Sequence, residues 1–148
     1  MSEVRIIQPD TIHPNTIQSE DINQATFIEE VRAAFNQYEQ ALMNNDLEAL
    51  DRFFWADPRV IRFGVGENLY GIEAIRAFRQ SRPTQGLART LRETRITAFG
   101  PNFAIATTEF LRTDQPIGRQ TQVWVRFAEG WRIVSAHVST LPSAMTEV

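Results

Sequence analysis

The stretch "GRQTQVWVRFAEGWRIVSAHVST", from Gly118 to Thr140, decides the fold. It divides into two long strands around a tight turn at Glu129-Gly130, which is typical of a β-hairpin. Both strands mix apolar and polar residues on both faces, which predicts a curved sheet with a pocket on its concave side and a protein partner on its convex side. On the second strand, period-two alternation predicts one shared face for Trp131, Ile133, Ser135, His137 and Ser139.

Elements upstream of this hairpin complete the predicted architecture. Two more strands are expected at 88–99 and 102–113, separated by Gly100-Pro101. Three helices precede them: one from a capping box at Thr26 to Glu29, one capped by Asp46, and one that starts near Ile72. A further strand is predicted within 59–67, followed by a turn at "GENLYG". Helices followed by hairpin-linked strands predict an α+β domain, with helices packed on one face of an antiparallel sheet.

Length and composition set the domain organisation and the compartment. A chain of 148 residues can form one well-buried core, which we place at 26–148. Residues 1–25 are polar and carry two prolines, so we predict an N-terminal extension that lies on the domain or reaches a partner. No run of apolar residues could span a membrane, no signal-peptide pattern is present, and cysteine is absent. These features predict a cytoplasmic protein without contact to membranes.

Composition also excludes several classes of reaction and ligand. The chain has neither cysteine nor lysine, which excludes thiol nucleophiles and Schiff bases. His13 and His137 are the two histidines, and neither lies in a metal-ligand spacing, so we expect no metal. The sequence has neither a GxGxxG motif nor a Walker loop, and we expect no cofactor. A net charge of -3 does not favour nucleic acid. All basic residues are arginines, whose planar guanidinium suits carboxylates.

Four side chains of the helical half are candidates for a site. Tyr38 lies on the buried stripe of the first helix, where it is either a core aromatic or a donor at a pocket. Arg79 and Arg82 continue the apolar stripe of the third helix, and Arg62 points away from the apolar face of its strand. Such arginines are either edge residues with buried stems or, where several converge, a clamp for a carboxylate.

The hairpin supplies three further candidates, Arg119, Gln122 and His137, which would line or brace the pocket. His137 is either a hydrogen-bonded core histidine or an acid or base. His137 and Ser139 are two residues apart on a strand, about 7 Å, which is too far for a nucleophile–base hydrogen bond. A serine triad is therefore rejected.

The order of elements and the pattern W-x-I-x-x-x-H-x-S at Trp131 to Ser139 resemble the nuclear-transport-factor-2-like superfamily, the SnoaL and ketosteroid-isomerase type of cone-shaped fold. Within it, the chain resembles the AtzH-like branch, which includes the oxalurate-catabolism protein HpxZ. The resemblance covers about residues 26–141. It is carried by "FNQYEQAL" (35–42), "RVIRFGVGENLYG" (59–71), "IRAFRQSR" (75–82), "GRQTQVWVRF" (118–127) and "GWRIVSAHVS" (130–139).

The resemblance implies a homodimer with a pocket between sheet and helices. It implies action on a small ureide, such as a carboxylated urea or oxalurate, by amide hydrolysis with decarboxylation, often beside an amidase. The family's functional tyrosine and arginine would fall on Tyr38 and Arg62. Two alternatives stay open: a non-catalytic dimeric module that accompanies a partner amidase, and a SnoaL-like isomerase or cyclase.

Overall fold

The computed structural model describes Val4 and residues 15–142. Three helices pack on one face of a curved, open sheet: α1 (Ala25–Met43), α2 (Leu47–Phe53) and α3 (Ile72–Ser81). The six strands are β1 (Ile61–Phe63), β2 (Asn68–Tyr70), β3 (Thr90–Ala98), β4 (Phe103–Leu111), β5 (Gly118–Phe127) and β6 (Gly130–Thr140). Their order in the sheet is β2-β1-β6-β5-β4-β3. The predicted α+β architecture, with the helices leading and four hairpin-linked strands ending the described chain, is confirmed.

The sheet is mixed, and at one edge the prediction of an antiparallel sheet is wrong. β3 to β6 are antiparallel as expected, but β1 lies parallel to β6, with Arg62 opposite Ala136. The parallel direction is set before β1 begins, because Phe54 already bridges to Ile133 in the same sense. β2 forms an edge strand antiparallel to β1 where we predicted a turn-rich connection.

A bulge in β6 decides which side chains point inward. Val123 of β5 pairs with Ser135, but the next residue, Trp124, pairs with Ile133, so β6 holds one extra residue. The period-two alternation therefore slips by one position. Trp131 and Ile133 are buried on the inner face, whereas His137 is exposed on the outer face. The prediction that Trp131 and His137 share a face is wrong for this reason.

The starts of the first two helices differ in what fixes them. Asp46 caps α2 as predicted, since its Oδ1 accepts a hydrogen bond from the Ala49 backbone at 3.2 Å. The capping box predicted at Thr26 is wrong, because α1 already begins at Ala25 without a side-chain cap. The sheet fixes this end instead: Asn23 exchanges two hydrogen bonds of 2.8 Å with the backbone of Ala98.

The predicted extension over residues 1–25 falls largely outside the described residues, and so does His13. Its last part is described. Ser19–Asp21 form a short 3-10 helix, and the Gly100 backbone donates to the carbonyl of Asp21 at 3.1 Å. Residues 19–24 are thus attached to the turn between β3 and β4. The domain boundary at residue 26 stays a prediction.

The core lies between the helices and the inner face of the sheet. Its largest fully buried side chains come from both layers and include Trp124, Phe35, Phe54, Leu50, Ile75 and Ile133. Burying one such side chain contributes about 1.5–3 kcal/mol. The inner face also carries three buried alanines, Ala104, Ala106 and Ala136, which leave space beside the large residues. In the described part of the chain, no helix is long and apolar enough to cross a membrane.

Candidate functional site

A cavity of about 290 Å³ lies between the inner face of the sheet and the first and third helices. Its floor includes one row across the strands, in which Arg62 pairs with Ala136 and Ala136 pairs with Gln122. The segment 82–89, between α3 and β3, forms one wall. A cavity of this size suits a small ligand.

The structure brings four of the seven candidate residues together. Tyr38, Arg62, Arg82 and Gln122 all line the cavity. Arg79 lies directly behind Tyr38 and is buried. Their chemical roles stay predictions, but the convergence on one cavity that a carboxylate clamp requires is present.

Two candidates lie elsewhere. Arg119 and His137 are exposed on the outer face, because of strand parity and the β6 bulge respectively. They line a separate depression of about 420 Å³, together with Glu93, Glu109 and Ser139. The His137 ring stacks edge-on against Phe63 at 5.8 Å. Direct contact of either side chain with a ligand in the cavity is not compatible with this placement.

Cavity residues that were missed from the sequence include Glu67, Arg89, Arg112 and Gln120. Gln120 could have been found, because it shares the face of Gln122 on the same strand. Arg89 and Arg112 fall just outside the strands, in segments without a hydrophobic period, and Glu67 falls in a turn. No local pattern marked these three.

The Tyr38 hydroxyl is a directed hydrogen-bond donor. Arg79 Nη2 donates to the Tyr38 hydroxyl oxygen at 3.2 Å. A guanidinium has no acceptor, so the hydroxyl oxygen must accept here and its own proton is left for another partner. Among the described residues that proton has no acceptor. The Tyr38 ring is fixed by edge-on contacts with Phe53 and Trp124, at 6.3 and 6.5 Å between ring centroids.

The Gln122 amide also presents a donor. Trp124 Nε1 donates to Gln122 Oε1 at 3.0 Å. An indole nitrogen can only donate, which assigns the oxygen to this contact and leaves the amide nitrogen to face the cavity. Gln122 is 1% exposed, so the orientation is enforced in a buried setting.

Arg89 builds the far wall and orients Gln120 in the same way. Its guanidinium forms a buried fork with Glu39, with Nε 3.1 Å from Glu39 Oε2 and Nη2 bonded to Oε1. Arg89 Nη2 also donates to Gln120 Oε1 at 2.9 Å, which leaves the Gln120 amide nitrogen unpartnered. The Phe110 ring contacts both Arg89 and Arg112, whose guanidinium carbons lie 4.4 and 5.1 Å from the ring centroid.

Three arginines at this site are held in unfavourable surroundings for a charge. Burial lowers the pKa of Arg79, and the charge on Arg62 lowers it further against the opposing effect of Tyr38. Burial also lowers the pKa of Arg82, and the charge on Arg79 lowers it further. Burial lowers the pKa of Arg112 in the same way, and the charge on Arg89 adds to this effect. Guanidinium groups thus crowd one another here, which disfavours the charged form.

The buried free polar groups of the cavity region are therefore donors, and the exposed Gln85 amide lies at the rim. Buried nitrogens without a partner among the described residues include Arg79 Nη1, Arg82 Nε, Arg112 Nε and Gln120 Nε2. The Tyr38 hydroxyl proton and the Gln122 amide nitrogen add to them. Glu67 is the one carboxylate among the described lining residues, and Arg62 donates to it at 3.1 Å. Such a cavity complements a ligand that carries acceptors and negative charge, such as a carboxylate.

A metal does not suit this donor set. Within residues 15–142 and at Val4, no three acidic or histidine side chains come together as ligands. The expectation that the protein needs neither a metal nor a cofactor stays a prediction.

Comparison with known proteins places the chain among related structures. A crystal structure of a protein of unknown function from the DUF3225 family of Pectobacterium atrosepticum is 54% identical, with a TM-score of 0.85 over 86% of this chain and 100% of that chain. A cystatin-like fold protein from Burkholderia xenovorans is 44% identical, with a TM-score of 0.78 over 82% of this chain and 98% of that one.

More distant structures show the fold alone. A nuclear-transport-factor-2-like superfamily protein from Salmonella enterica is 23% identical, with a TM-score of 0.66 over 84% of this chain and 98% of that one.

Among curated proteins, none matches this chain. The AtzH-like family model matches residues 20–144, which include every residue that lines the cavity. The chain therefore belongs to the AtzH-like family.

Proposed function

We propose that the protein binds a small anionic ureide, of the carboxylated-urea or oxalurate type, in the arginine cavity, and that it removes as carbon dioxide a carboxylate carried on a urea nitrogen. The observation that carries this proposal is the donor polarity of the cavity. Trp124 and Arg89 occupy the amide oxygens of Gln122 and Gln120, and Arg79 occupies the oxygen of Tyr38. What remains for a ligand is a set of N–H and O–H donors.

Decarboxylation fits the groups that are present. In an N-carboxylated urea, the bond between nitrogen and the carboxylate carbon breaks, carbon dioxide leaves, and the electron pair stays on nitrogen. That nitrogen needs a proton, which the Tyr38 hydroxyl can donate and regain from water. Negative charge that develops on the urea oxygen during the step would be stabilised by Arg82 and Arg112.

Amide hydrolysis, the other half of the sequence-based expectation, requires a base that activates water. The carboxylates near the cavity are Glu67 and Glu39, which are engaged by Arg62 and Arg89. Glu67 is the more accessible, with 26% of its side chain exposed, so a hydrolytic step would have to release it from Arg62.

Turnover by the protein alone tests this proposal. Purified protein is incubated with oxalurate or N-carboxylated ureas, and released carbon dioxide and ammonia are measured separately. Arg82→Met should abolish turnover, since it removes a cavity donor. Arg32→Met is the matched control, because Arg32 is exposed on α1 and contacts Glu29 alone among the described residues, at 3.7 Å. Turnover that survives Arg82→Met would contradict the assignment of the site.

The accessory-module function is the second candidate, and the outer face of the sheet favours it. Outward residues of β4 and β5 form an apolar row in which Ile105 pairs with Val123, and Phe103 pairs with Val125. We propose that this face forms a homodimer and that the dimer accompanies an amidase. Carboxylates that bind without being consumed, together with rate enhancement of an added amidase, would favour the module over the enzyme.

A further inference from the structure

Glu67 places a carboxylate of the chain itself inside a cavity that suits carboxylates. It lies in the turn between β1 and β2, and its Oε1 accepts a hydrogen bond from Arg62 Nη1 at 3.1 Å. Its Oε2 accepts from the Gly66 backbone at 3.2 Å. The Arg62 and Glu67 side chains are 13% and 26% exposed, so this ion pair sits at the cavity wall and not in bulk solvent.

The turn is shaped so that Glu67 can fold back. A Cβ at Gly64 would overlap the carboxylate oxygen and carbon of Glu67. Gly64 has no positive φ, so a Cβ here would conflict only with the folded-back end of the Glu67 side chain. The Gly64 backbone also donates to the Glu67 carbonyl at 2.8 Å, which closes the turn. Gly64 and Gly66 together hold the Glu67 carboxylate against Arg62.

We propose that Glu67 is an internal competitor, a carboxylate that occupies Arg62 until the carboxylate of a ligand displaces it. This inference rests on the proposed anion binding in the cavity. Arg62 gives Glu67 one hydrogen bond and not the two-bond fork that Arg89 makes with Glu39. A ligand that forms a fork makes the stronger contact and wins. An ion such as chloride cannot form a fork, so Glu67 makes the site selective for planar carboxylates.

A different role for Glu67 has the opposite consequence. If Glu67 stayed on Arg62 and accepted an N–H of the ligand, its loss would weaken binding. The internal competitor predicts tighter binding when Glu67 is removed or pushed aside. The sign of the change in affinity therefore separates the two roles.

The experiment is titration calorimetry of oxamate with the parent protein and four variants. Glu67→Gln should tighten oxamate binding by about tenfold, the size of one charge-assisted hydrogen bond. Gly64→Ala should also tighten it, because the added Cβ displaces the flexible end of Glu67 without changing the net charge. In Arg62→Met, oxamate should bind more weakly, and adding Glu67→Gln to this variant should change little.

Each other result overturns the inference. Equal tightening by Glu67→Gln with and without Arg62 would mean a general charge effect, as would an unchanged affinity in Gly64→Ala. Weaker binding in Glu67→Gln would assign Glu67 to the ligand. If the parent binds oxamate and Glu67→Gln binds it equally, the inference fails while the proposed function stands. If neither binds oxamate at millimolar concentration, both fail.

Discussion

At the scale of single residues, the Arg79 guanidinium is a buried charge next to the site, and its burial lowers the stability of the fold. Arg79 is 5% exposed and has no carboxylate partner among the described residues. Its contacts include the Tyr38 hydroxyl and the face of Phe54, 4.5 Å from the guanidinium carbon. A buried charge without a counter-charge destabilises a protein. We infer that Arg79 serves the site by orienting Tyr38.

Replacement of Arg79 should therefore improve stability and weaken ligand binding. Arg79→Met should raise the free energy of unfolding by about 1 kcal/mol or more, because an apolar side chain replaces a desolvated charge. Oxamate affinity should fall at least about tenfold through the loss of the donor that orients Tyr38. Arg76→Met on the same helix is the control: Arg76 pairs with Asp51 and Glu73 near the surface and its loss should lower stability slightly. Urea denaturation measures the free energy of unfolding of both variants. A strongly destabilised Arg79→Met variant would show that Arg79 is a structural residue.

The Tyr38 hydroxyl has the complementary role. Tyr38→Phe keeps the ring contacts with Phe53 and Trp124 but leaves a buried Arg79 N–H without its acceptor. The free energy of unfolding should fall by about 1–3 kcal/mol, and turnover should be lost. Tyr70, which is 63% exposed, provides the control: Tyr70→Phe should leave both unchanged. Full turnover by Tyr38→Phe would exclude Tyr38 as the proton donor.

Residue types were easier to predict than residue partners. The stripe of α1 identified Tyr38, and the stripe of α3 identified Arg79 and Arg82. Glu39 and Arg89 are 50 positions apart in the chain, so their ion pair is set by tertiary packing and not by a local pattern. The contact between Trp124 and Gln122 was partly predictable. The two residues share a face at i and i+2, but the indole nitrogen decides which amide atom of Gln122 faces the cavity.

At the scale of elements, the register of the hairpins shapes the cavity. Gly118 at the start of β5 pairs with Phe110 at the end of β4, and a Cβ at Gly118 would overlap the Phe110 ring. The missing side chain leaves room for the Phe110 ring, which contacts both Arg89 and Arg112. Gly118 is thus required by a close contact and not by a positive φ.

A methyl group at Gly118 should disturb the site through Phe110. Gly118→Ala should lower the free energy of unfolding by about 1–3 kcal/mol, the usual cost of an overfilled position, and weaken oxamate binding. Gly66→Ala is the matched control, since a Cβ there has open space around it. Thermal and chemical denaturation of the two variants should differ clearly. An equal response of both would mean that the Phe110 position is not important.

The elements themselves were largely predictable, and the exceptions have physical causes. Strong alternation and glycine-containing turns located β3 to β6 within a few residues. The β6 bulge was not predictable, because neither Val134 nor Ser135 is a glycine or proline, the residue types that would indicate an extra residue in the strand. That one residue moves His137 from the predicted inner face to the outer face. β2 was missed because three residues next to a turn give too short a pattern.

At the scale of the whole molecule, the sheet has a second face to cover. The exposed Phe103 belongs to it, as do Ile105, Val123 and Val125, which pair across β4 and β5. Stable interfaces bury about 1,600 Å² in total. We predict a homodimer through this face. Val123→Glu should convert it to a monomer in sedimentation experiments at micromolar concentration, because a charge would be buried in the interface. A parent protein that sediments as a monomer contradicts this assembly.

The central claim is that the cavity selects negative charge through buried donors that have no partner in the protein. Titration calorimetry with oxamate and its neutral analogue oxamide tests it most directly, because the two differ by an oxygen anion in place of an amide nitrogen. Oxamate should bind with one site per chain, and saturating oxamate, at about 100 times its dissociation constant, should add about 2.7 kcal/mol to the free energy of unfolding. Oxamide should give no heat of binding, because its additional N–H groups would face N–H and O–H donors of the cavity, which cannot accept hydrogen bonds from them. Equal binding of both compounds, or binding of oxamide alone, would contradict the account.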